Sequence, residues 1–437
     1  MSRHPTTPFC RKHFGGATIW MQPMDGERVD AEGEDGKVSH PVAAQRIVIF
    51  AGKGENYLAS DESYLNDMWS LHITNTGLVW EQLLANETRM EPRWKPAYTS
   101  YNKSTELVIH GGDDENVHYA HFLSDTWVYS PLASPQLHKA NRSQPAGPGK
   151  RRGHSMAAME SGLLVIHGGK SSGHKQHQMC DGKTFGLQLD DPNAAWEERA
   201  PLPAPCRWGQ TMDAGYVGDK EVALLFGGRH KEEGASGYTY YNDLWAYEPL
   251  DDSWTLLEAQ AKGKGSSASL PPPRDHHASA YVSELNSLYV HGGRPSDGSV
   301  HVLGDLWRYH IKNSVWEEIP TSGQLAPSPR FGQIMLVWRG HAGDGEPALA
   351  LIGGESFSVK HLKKHLNNDV WLHRIKAKAW TPIAKSACSP FDDPRVAGSV
   401  IPLPMIMSAA GGILVLGLGL VLYNMFCKKK HRYRALS

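Results

Sequence analysis

The chain has 437 residues, enough for one large domain or for two to three ordinary ones, and 40% of the residues are hydrophobic. The net charge of −1 gives no general basic surface and therefore argues against a nucleic-acid partner. Five cysteines without a CxxC pair are too few for a scaffold built from disulfides.

The first 36 residues form a poorly defined N-terminal segment in this interpretation. The opening residues, MSRHPTTPFCRKHFGG, contain no apolar run of the length that a signal peptide needs. The true start then lies upstream, or the protein enters its membrane without a signal peptide.

A strand that ends in glycine recurs six times, with the final glycines 57 to 65 residues apart. An aromatic residue follows each copy after a variable loop, and in five copies it is the Trp of an Asp-x-Trp motif. A second Trp follows nine to eleven residues later in five of the repeats. The final glycines are Gly52, Gly112, Gly169, Gly228, Gly293 and Gly354, and the first aromatics are Trp69, Trp127, Phe185, Trp245, Trp307 and Trp371.

Five repeats also open with an arginine, and Lys37-Val-Ser-His40 is a degenerate opening for the first. The glycine-terminated runs are apolar, rich in β-branched residues and bounded by turn residues, which predicts short buried strands. The tryptophans supply apolar area for packing between neighbouring sheets. The opening arginines are Arg93, Arg151, Arg207, Arg274 and Arg330.

Together these features resemble the Kelch repeat over roughly residues 37–385. The resemblance implies an all-β, six-bladed β-propeller over 37–401, because single blades cannot bury their faces and must close into a ring. Kelch propellers commonly close by pairing strands from both termini. The stretch Asp393–Ser399 is therefore expected to complete the first blade in place of 37–44. In a seven-bladed alternative, Asp393–Ser399 joins Phe14–Trp20 in an additional blade.

The opening arginines are the candidate ligand-binding residues. In Kelch substrate adaptors, arginines of an Arg-x-Gly motif line a pocket for acidic peptides, and Arg151, Arg207 and Arg330 have that glycine. Arg93 and Arg274 match less well, because Lys95 and His276 replace it. The resemblance predicts a protein partner, or an acidic peptide or glycan. In the structural alternative, each arginine merely pairs with a carboxylate of a neighbouring blade.

Histidine and cysteine give two further possibilities. His174, His177 and Cys180 have a spacing that could supply three zinc ligands, but no fourth ligand is identifiable. Cys180 could equally form a disulfide with Cys206. His110, His167 and His291 occupy a position that is apolar in other repeats, which favours buried core histidines. We therefore expect no metal and no cofactor.

No nucleophile elbow, Walker loop or paired catalytic carboxylate motif occurs, so we expect no enzyme. The copper site of galactose oxidase, which carries Kelch-like repeats, cannot be placed here. The iron-binding motif of plant specifier proteins is absent too. A propeller enzyme with an axial, metal-dependent site is the alternative hypothesis, because propellers do host active sites.

Residues 405–426 are uncharged and long enough for a transmembrane helix. A basic tail follows at 427–437, which predicts a single-pass membrane protein whose tail is cytosolic and whose propeller is extracytoplasmic. A tail-anchored protein with a cytosolic propeller is the alternative. Three glycosylation sequons fit the first topology: Asn86, Asn102 and Asn141.

Overall fold

The computed structural model describes the chain in segments that together include each of the six repeats. The described residues are 8, 10–21, 44–55, 62–74, 77–84, 90–101, 105–114, 122–131, 136–140, 147–172, 178–257, 270–296, 302–321, 325–340, 346–358 and 363–384.

The first three repeats consist of antiparallel strands and turns. Runs such as Leu163–His167 become strands because β-branched and large apolar side chains pack well on both faces of a pleated sheet. The strands are β1 (Cys10–Lys12), β2 (Gly15–Met21), β3 (Ala44–Phe50), β4 (Lys53–Glu55), β5 (Glu62–Tyr64), β6 (Met68–Thr74), β7 (Gly77–Leu84), β8 (Ala97–Tyr101), β9 (Glu106–Asp113), β10 (Phe122–Ser130), β11 (Gln136–Lys139), β12 (Arg151–Arg152), β13 (Ser155–Ala158), β14 (Leu163–His167), β15 (Lys170–Ser172), β16 (Gln178–Cys180), β17 (Thr184–Gln188) and β18 (Glu197–Arg199).

The last three repeats follow the same plan. Within the described segments the only helices are two single 3₁₀ turns, Ser283–Leu285 and Ile311–Asn313, as the repeat pattern predicts. The strands are β19 (Thr211–Val217), β20 (Lys220–Phe226), β21 (Arg229–His230), β22 (Thr239–Tyr240), β23 (Leu244–Glu248), β24 (Ser253–Leu256), β25 (Arg274–Asp275), β26 (Ala278–Val282), β27 (Ser287–Pro295), β28 (Leu303–His310), β29 (Val315–Ile319), β30 (Arg330–Phe331), β31 (Ile334–Trp338), β32 (Ala348–Ser358), β33 (Lys363–Arg374) and β34 (Ala379–Ala384).

Each repeat contributes one four-stranded antiparallel sheet whose strands follow chain order. We number these sheets 1 to 6: β2-β3-β6-β7, β8-β9-β10-β11, β13-β14-β17-β18, β19-β20-β23-β24, β26-β27-β28-β29 and β31-β32-β33-β34. The short strands that precede the first strand of a sheet, such as β12 and β25, pair separately at one end of the repeat.

The hydrophobic core lies between neighbouring sheets. Six clusters of buried side chains each join one pair of adjacent sheets, and the cluster containing Ile47 and Ile352 joins sheet 1 to sheet 6. The first strands contact each other in the same order, with β31 against β2. The described part of the chain is therefore an all-β ring of antiparallel sheets, consistent with a Kelch β-propeller.

The first sheet differs from the sequence-based expectation. Its first strand is Gly15–Met21, which pairs with β3 from Gly15 opposite Phe50 to Met21 opposite Ala44. The N-terminal segment therefore completes sheet 1, and the ring begins well before residue 37. The expected replacement, Asp393–Ser399, lies outside the described residues, as do 37–43. The sequence pattern of Gly15–Met21 was too short to identify its sheet.

Candidate functional site

The five predicted arginines lie inside the repeats. Each is at most 1% exposed, and each pairs with a carboxylate of its own repeat. A sixth arginine, Arg11, has the same environment and pairs with Asp67. The pairs are Arg93–Asp125, Arg151–Asp181, Arg207–Asp243, Arg274–Asp305 and Arg330–Asp369.

Arg274 illustrates the arrangement. Its two terminal nitrogens donate to the carboxylate oxygens of Asp305 at 2.8 and 2.7 Å. Nη1 also donates to the carbonyl oxygen of Gly292 at 3.0 Å, and the indole of Trp307 donates to Asp305 at 2.6 Å. The Asp-x-Trp motif therefore links the opening arginine to the tryptophan, and the arginine holds the carbonyl of the paired glycine.

The third repeat, which lacks Asp-x-Trp, keeps the pair by another route. Asp181 stands four residues before Phe185 and accepts from Arg151 at 3.0 Å. The guanidinium of Arg151 lies over the Phe185 ring, 5.1 Å from its centroid.

This geometry supports a structural role, because it turns the guanidinium groups away from solvent. The expected partner was wrong, since each carboxylate belongs to the same repeat and not to a neighbouring blade. Successive residues of an extended strand face opposite sides. The residue after each opening arginine therefore faces the side of the strand opposite to the arginine. Sequence reasoning selected the arginines because they recur most visibly, whereas the position after them varies between repeats.

The second residue after each opening arginine forms a closed ring of backbone hydrogen bonds. Each N–H donates to the carbonyl of the equivalent residue in an adjacent repeat, at 2.7 to 3.1 Å. All six residues have positive φ, from 51° to 71°. The ring consists of His13, Lys95, Gly153, Gly209, His276 and Gly332.

Around this ring, two positions of each repeat face each other as cross-strand neighbours. One follows the opening arginine, and the other follows the paired glycines. We call these twelve residues together with Lys95 the axial mouth. The cross-strand neighbours are Lys12 and Lys53, Trp94 and Asp113, Arg152 and Lys170, Trp208 and Arg229, Asp275 and Arg294, and Phe331 and Glu355.

The axial mouth is strongly positive although the chain is nearly neutral. Seven of its residues are Lys or Arg, against three carboxylates. Arg229 and Arg294 both pair with Asp275, at 2.9 and 2.8 Å. Lys12 pairs with Glu355, and Arg152 pairs with Asp113. A cavity of about 300 Å³ opens between these side chains.

Aromatic rings interleave with the cations of the axial mouth. Lys95 and Arg152 lie over Trp94, 4.5 and 5.2 Å from the ring centroid. Lys170 lies 4.5 Å over Trp208. Burial, and next the charge of Arg152, lower the pKa of Lys170 to about 8. Flat rings beside cations suit a ligand that carries negative charge on an apolar frame.

A larger cavity of about 980 Å³ extends along the first strands of the sheets and shares His13, Lys95 and Gly153 with the lining of the 300 Å³ cavity. We call it the axial cavity. Its wall contains Asp213, whose carboxylate accepts from the Ser279 hydroxyl. Burial raises the pKa of Asp213 to about 6.

The other predicted residues have structural surroundings or lie outside the described segments. His110, His167 and His291 are fully buried, and burial lowers the pKa of each to about 3. Cys180 and Cys206 form a disulfide, and His230 Nδ1 lies 3.2 Å from Cys206 Sγ. The undescribed residues are His174, His177, the three sequons at Asn86, Asn102 and Asn141, and 385–437.

The disulfide also bears on the metal hypothesis. Cys180, Cys206 and His230 form a group with ligand atoms close enough to share an ion. Both sulfur atoms are used by the disulfide, so this oxidised form offers no thiolate ligand. In the described segments, no helix is long and apolar enough to span a membrane.

Comparison with known proteins agrees with the repeat. The KLHDC2/KLHL20/DRC7 Kelch-repeats domain matches residues 216–401. Kelch domain-containing protein 3 of Homo sapiens is 25% identical over 347 residues, covering 75% of this chain and 80% of that protein. An F-box/kelch-repeat protein of Arabidopsis thaliana is 25% identical over 289 residues, covering 63% of this chain and 54% of the relative.

A third relative is much longer than this chain. The dynein alpha chain of the flagellar outer arm of Chlamydomonas reinhardtii is 24% identical over 237 residues, which is 52% of this chain and 5% of that protein. Together with the repeat, these similarities support a Kelch-repeat protein and, at that level, a protein-interaction module. Kelch-repeat proteins are generally interaction modules without enzymatic activity.

Proposed function

We propose that this chain is a membrane-anchored recognition module that binds an acidic segment of a partner protein at the axial mouth. The observation that carries the proposal is the excess of Lys and Arg over carboxylates around one opening. Charges lining a concave opening with low-dielectric walls focus the potential and attract the opposite charge. The guanidiniums of Arg152 and Arg294 pair with Asp113 and Asp275, and a ligand carboxylate shares their N–H donors with those partners.

A labelled decaglutamate peptide provides a defined acidic probe. We expect its fluorescence anisotropy to rise on binding to the full chain, and the affinity to fall with added salt, because exposed charges are screened. An oligolysine peptide of the same length should not bind. Binding of both peptides alike would contradict recognition by charge.

Replacing Arg152 and Lys170 by Gln should weaken decaglutamate binding by about tenfold or more, which is about 1.4 kcal/mol. These two cations are cross-strand neighbours, so their removal also relieves a like-charge contact and should preserve the fold. The matched control replaces Lys220 and Lys376, which are exposed cations outside the axial mouth. An equal loss in the control would mean that net charge, and not the axial mouth, attracts the peptide.

For the architecture and the topology we propose six blades, a membrane helix at 405–426 and an extracytoplasmic propeller. The closed ring of six backbone hydrogen bonds supports the blade number. The apolar run and the basic residues after it support the anchor. The Cys180–Cys206 disulfide supports the oxidising side of the membrane.

A further inference from the structure

Three non-glycine residues occupy left-handed positions in the ring where the other repeats have glycine. His13, Lys95 and His276 have φ values of 51°, 54° and 53°. A side chain in this conformation strains the backbone, and strain of this kind concentrates at functional sites. The three side chains converge, since the rings of His13 and His276 lie 4.5 Å apart and Lys95 contacts His276.

Lys95 stands at the end of a short hydrogen-bonded series. Its Nζ lies 2.6 Å from Nε2 of His276, and Nδ1 of the same imidazole lies 2.7 Å from Oδ2 of Asp275. Asp275 is fully buried and accepts from Nδ1–H in the tautomer that leaves Nε2 as the acceptor for an N–H of Lys95. Nη2 of Arg294 also lies 2.9 Å from Nδ1. Carboxylate, imidazole and nucleophile in this order are the usual means of activating a weak nucleophile.

The surroundings favour an uncharged amine. Burial, then the charge of Arg294, then that of Arg152, lower the pKa of Lys95 well below its usual value, and Asp275 opposes them. Burial, followed by Lys95 and Arg294, also lowers the pKa of His276. The charged and titratable groups that face this pair are His13, Lys12, Arg152, Arg229, Arg294, His277 and Asp275.

We propose that Lys95 is a carbonyl-reactive residue that captures the aldehyde or ketone of an anionic ligand as an imine. The neutral Nζ attacks the carbonyl carbon, and His276 Nε2 accepts the proton released by the new C–N bond. His276 returns that proton to the alkoxide oxygen, which gives the carbinolamine. As the C=N bond forms, the remaining proton of the nitrogen passes through His276 to the hydroxyl, which leaves as water. Asp275 is a positioning residue that stabilises the transient imidazolium.

The position of Lys95 gives a ligand two routes to the amine. It is partly exposed and lines both the axial mouth and the axial cavity. Arg152 and Arg294 stand beside it to hold the anionic group. This inference goes beyond the proposed function, because imine formation needs the amine and its imidazole but no protein partner.

The test uses pyridoxal and pyridoxal phosphate with the full chain, followed by borohydride reduction and peptide mass spectrometry. At pH 7.5 we expect Lys95 to be modified by pyridoxal at least tenfold faster than exposed Lys220, whose pKa its acidic partners Glu248 and Asp251 raise. The rate for Lys95 should reach its plateau at a lower pH than the rate for Lys220. Equal rates and equal pH profiles would overturn the proposal.

Two variants test whether Lys95 reacts fast because His276 activates its amine or only because the amine is accessible. His276→Asn keeps a residue that tolerates positive φ but removes the proton acceptor, and it should slow modification of Lys95 by tenfold or more. Modification of Lys170 in the same sample should change less than twofold. The matched control Lys376→Arg changes an exposed lysine outside the axial mouth and should leave the Lys95 rate unchanged. An unchanged Lys95 rate in His276→Asn, with an unchanged melting temperature, would refute the relay.

Comparing pyridoxal phosphate with pyridoxal distinguishes the reactive lysine from the basic binding site proposed above. Faster reaction of Lys95 with pyridoxal phosphate than with pyridoxal, lost on salt addition, reports anion binding at the axial mouth. Selective modification by both probes alike retains the reactive lysine and contradicts the basic site for anions. Phosphate-dependent binding without adduct formation at Lys95 retains the basic site and contradicts the reactive lysine.

Discussion

Replacing Asp305 by Asn removes the charge of one buried pair while nearly keeping its shape. Arg274 is fully buried, and two of its hydrogen bonds end on Asp305. The substitution leaves the guanidinium without its counter-charge, and breaking a buried pair from one side costs about 3–5 kcal/mol. For a folded unit of about 390 residues, that corresponds to a fall in melting temperature of about 5 °C.

The assay is thermal unfolding of the full chain followed by tryptophan fluorescence. The control Asp251→Asn removes an exposed carboxylate that pairs with Lys220, and it should change stability by less than about 0.5 kcal/mol. A wild-type melting temperature in Asp305→Asn would refute the structural role of the opening arginines.

The same pair predicts a pH dependence. Burial alone would raise the pKa of Asp305, but the hydrogen bond and charge of Arg274 hold it below its usual value. Because the folded-state pKa is the lower one, this stabilisation is present above about pH 4 and is lost as pH falls through the folded value. Asp305→Asn should therefore differ most from wild type at neutral pH and converge with it in acid. A constant difference would contradict the ion pair.

Three further predictions concern other parts of the chain. Trp307→Ala should lower the free energy of unfolding by about 3–5 kcal/mol, and Trp245→Ala by less, because Trp307 is buried and Trp245 is partly exposed. Chemical denaturation measures both changes, and near-wild-type stability would mean that the indole is not packed. Asp213→Asn should stabilise the protein by about 1–2 kcal/mol at pH 7. The raised pKa of Asp213 makes the stability of the wild type fall as pH rises from about 4 to 6, so the higher melting temperature of the variant should disappear at pH 4. Replacing the sequon asparagines by Gln should increase gel mobility in cells if the propeller is extracytoplasmic, whereas unmodified sequons and digestion of the propeller by external protease would favour the tail-anchored topology. The asparagines are Asn86, Asn102 and Asn141.

The repeat could be predicted from the sequence because each sheet has the same packing requirements. Every sheet needs a buried strand, a glycine at its end, which is the second of a pair in five repeats and follows Ala51 in the first, and a large aromatic residue against its neighbour. These requirements placed Val165, Leu225 and Leu351 in strands correctly. The first strand of sheet 1 was expected at Asp393–Ser399 and lies instead at Gly15–Met21, because more than twenty residues separate Gly15–Met21 from β3 and no periodicity links them.

The site was harder to predict because a residue that recurs in every repeat more often serves the structure of the repeat than a function. An arginine recurs at this position because every repeat needs a guanidinium between a carboxylate and a backbone carbonyl. Arg207 fills that place between Asp243 and the Gly227 carbonyl. A ligand site has no such reason to repeat around a ring, so it is found where the repeats diverge. One residue further along the chain, the same alignment reads Lys12, Trp94, Arg152, Trp208, Asp275 and Phe331.

The second position after each opening arginine shows this divergence most clearly. Glycine satisfies the left-handed backbone of the ring at Gly153, Gly209 and Gly332, so a side chain there is unnecessary for closure. Lys95 and His276 accept backbone strain at that position and place an amine and an imidazole 2.6 Å apart. A repeat protein that retains unfavourable residues at its axis has a requirement there other than folding. Lys95→Gly should therefore preserve or raise thermal stability while removing the fast imine formation that Lys95 provides, and a large loss of stability would instead assign Lys95 to the scaffold.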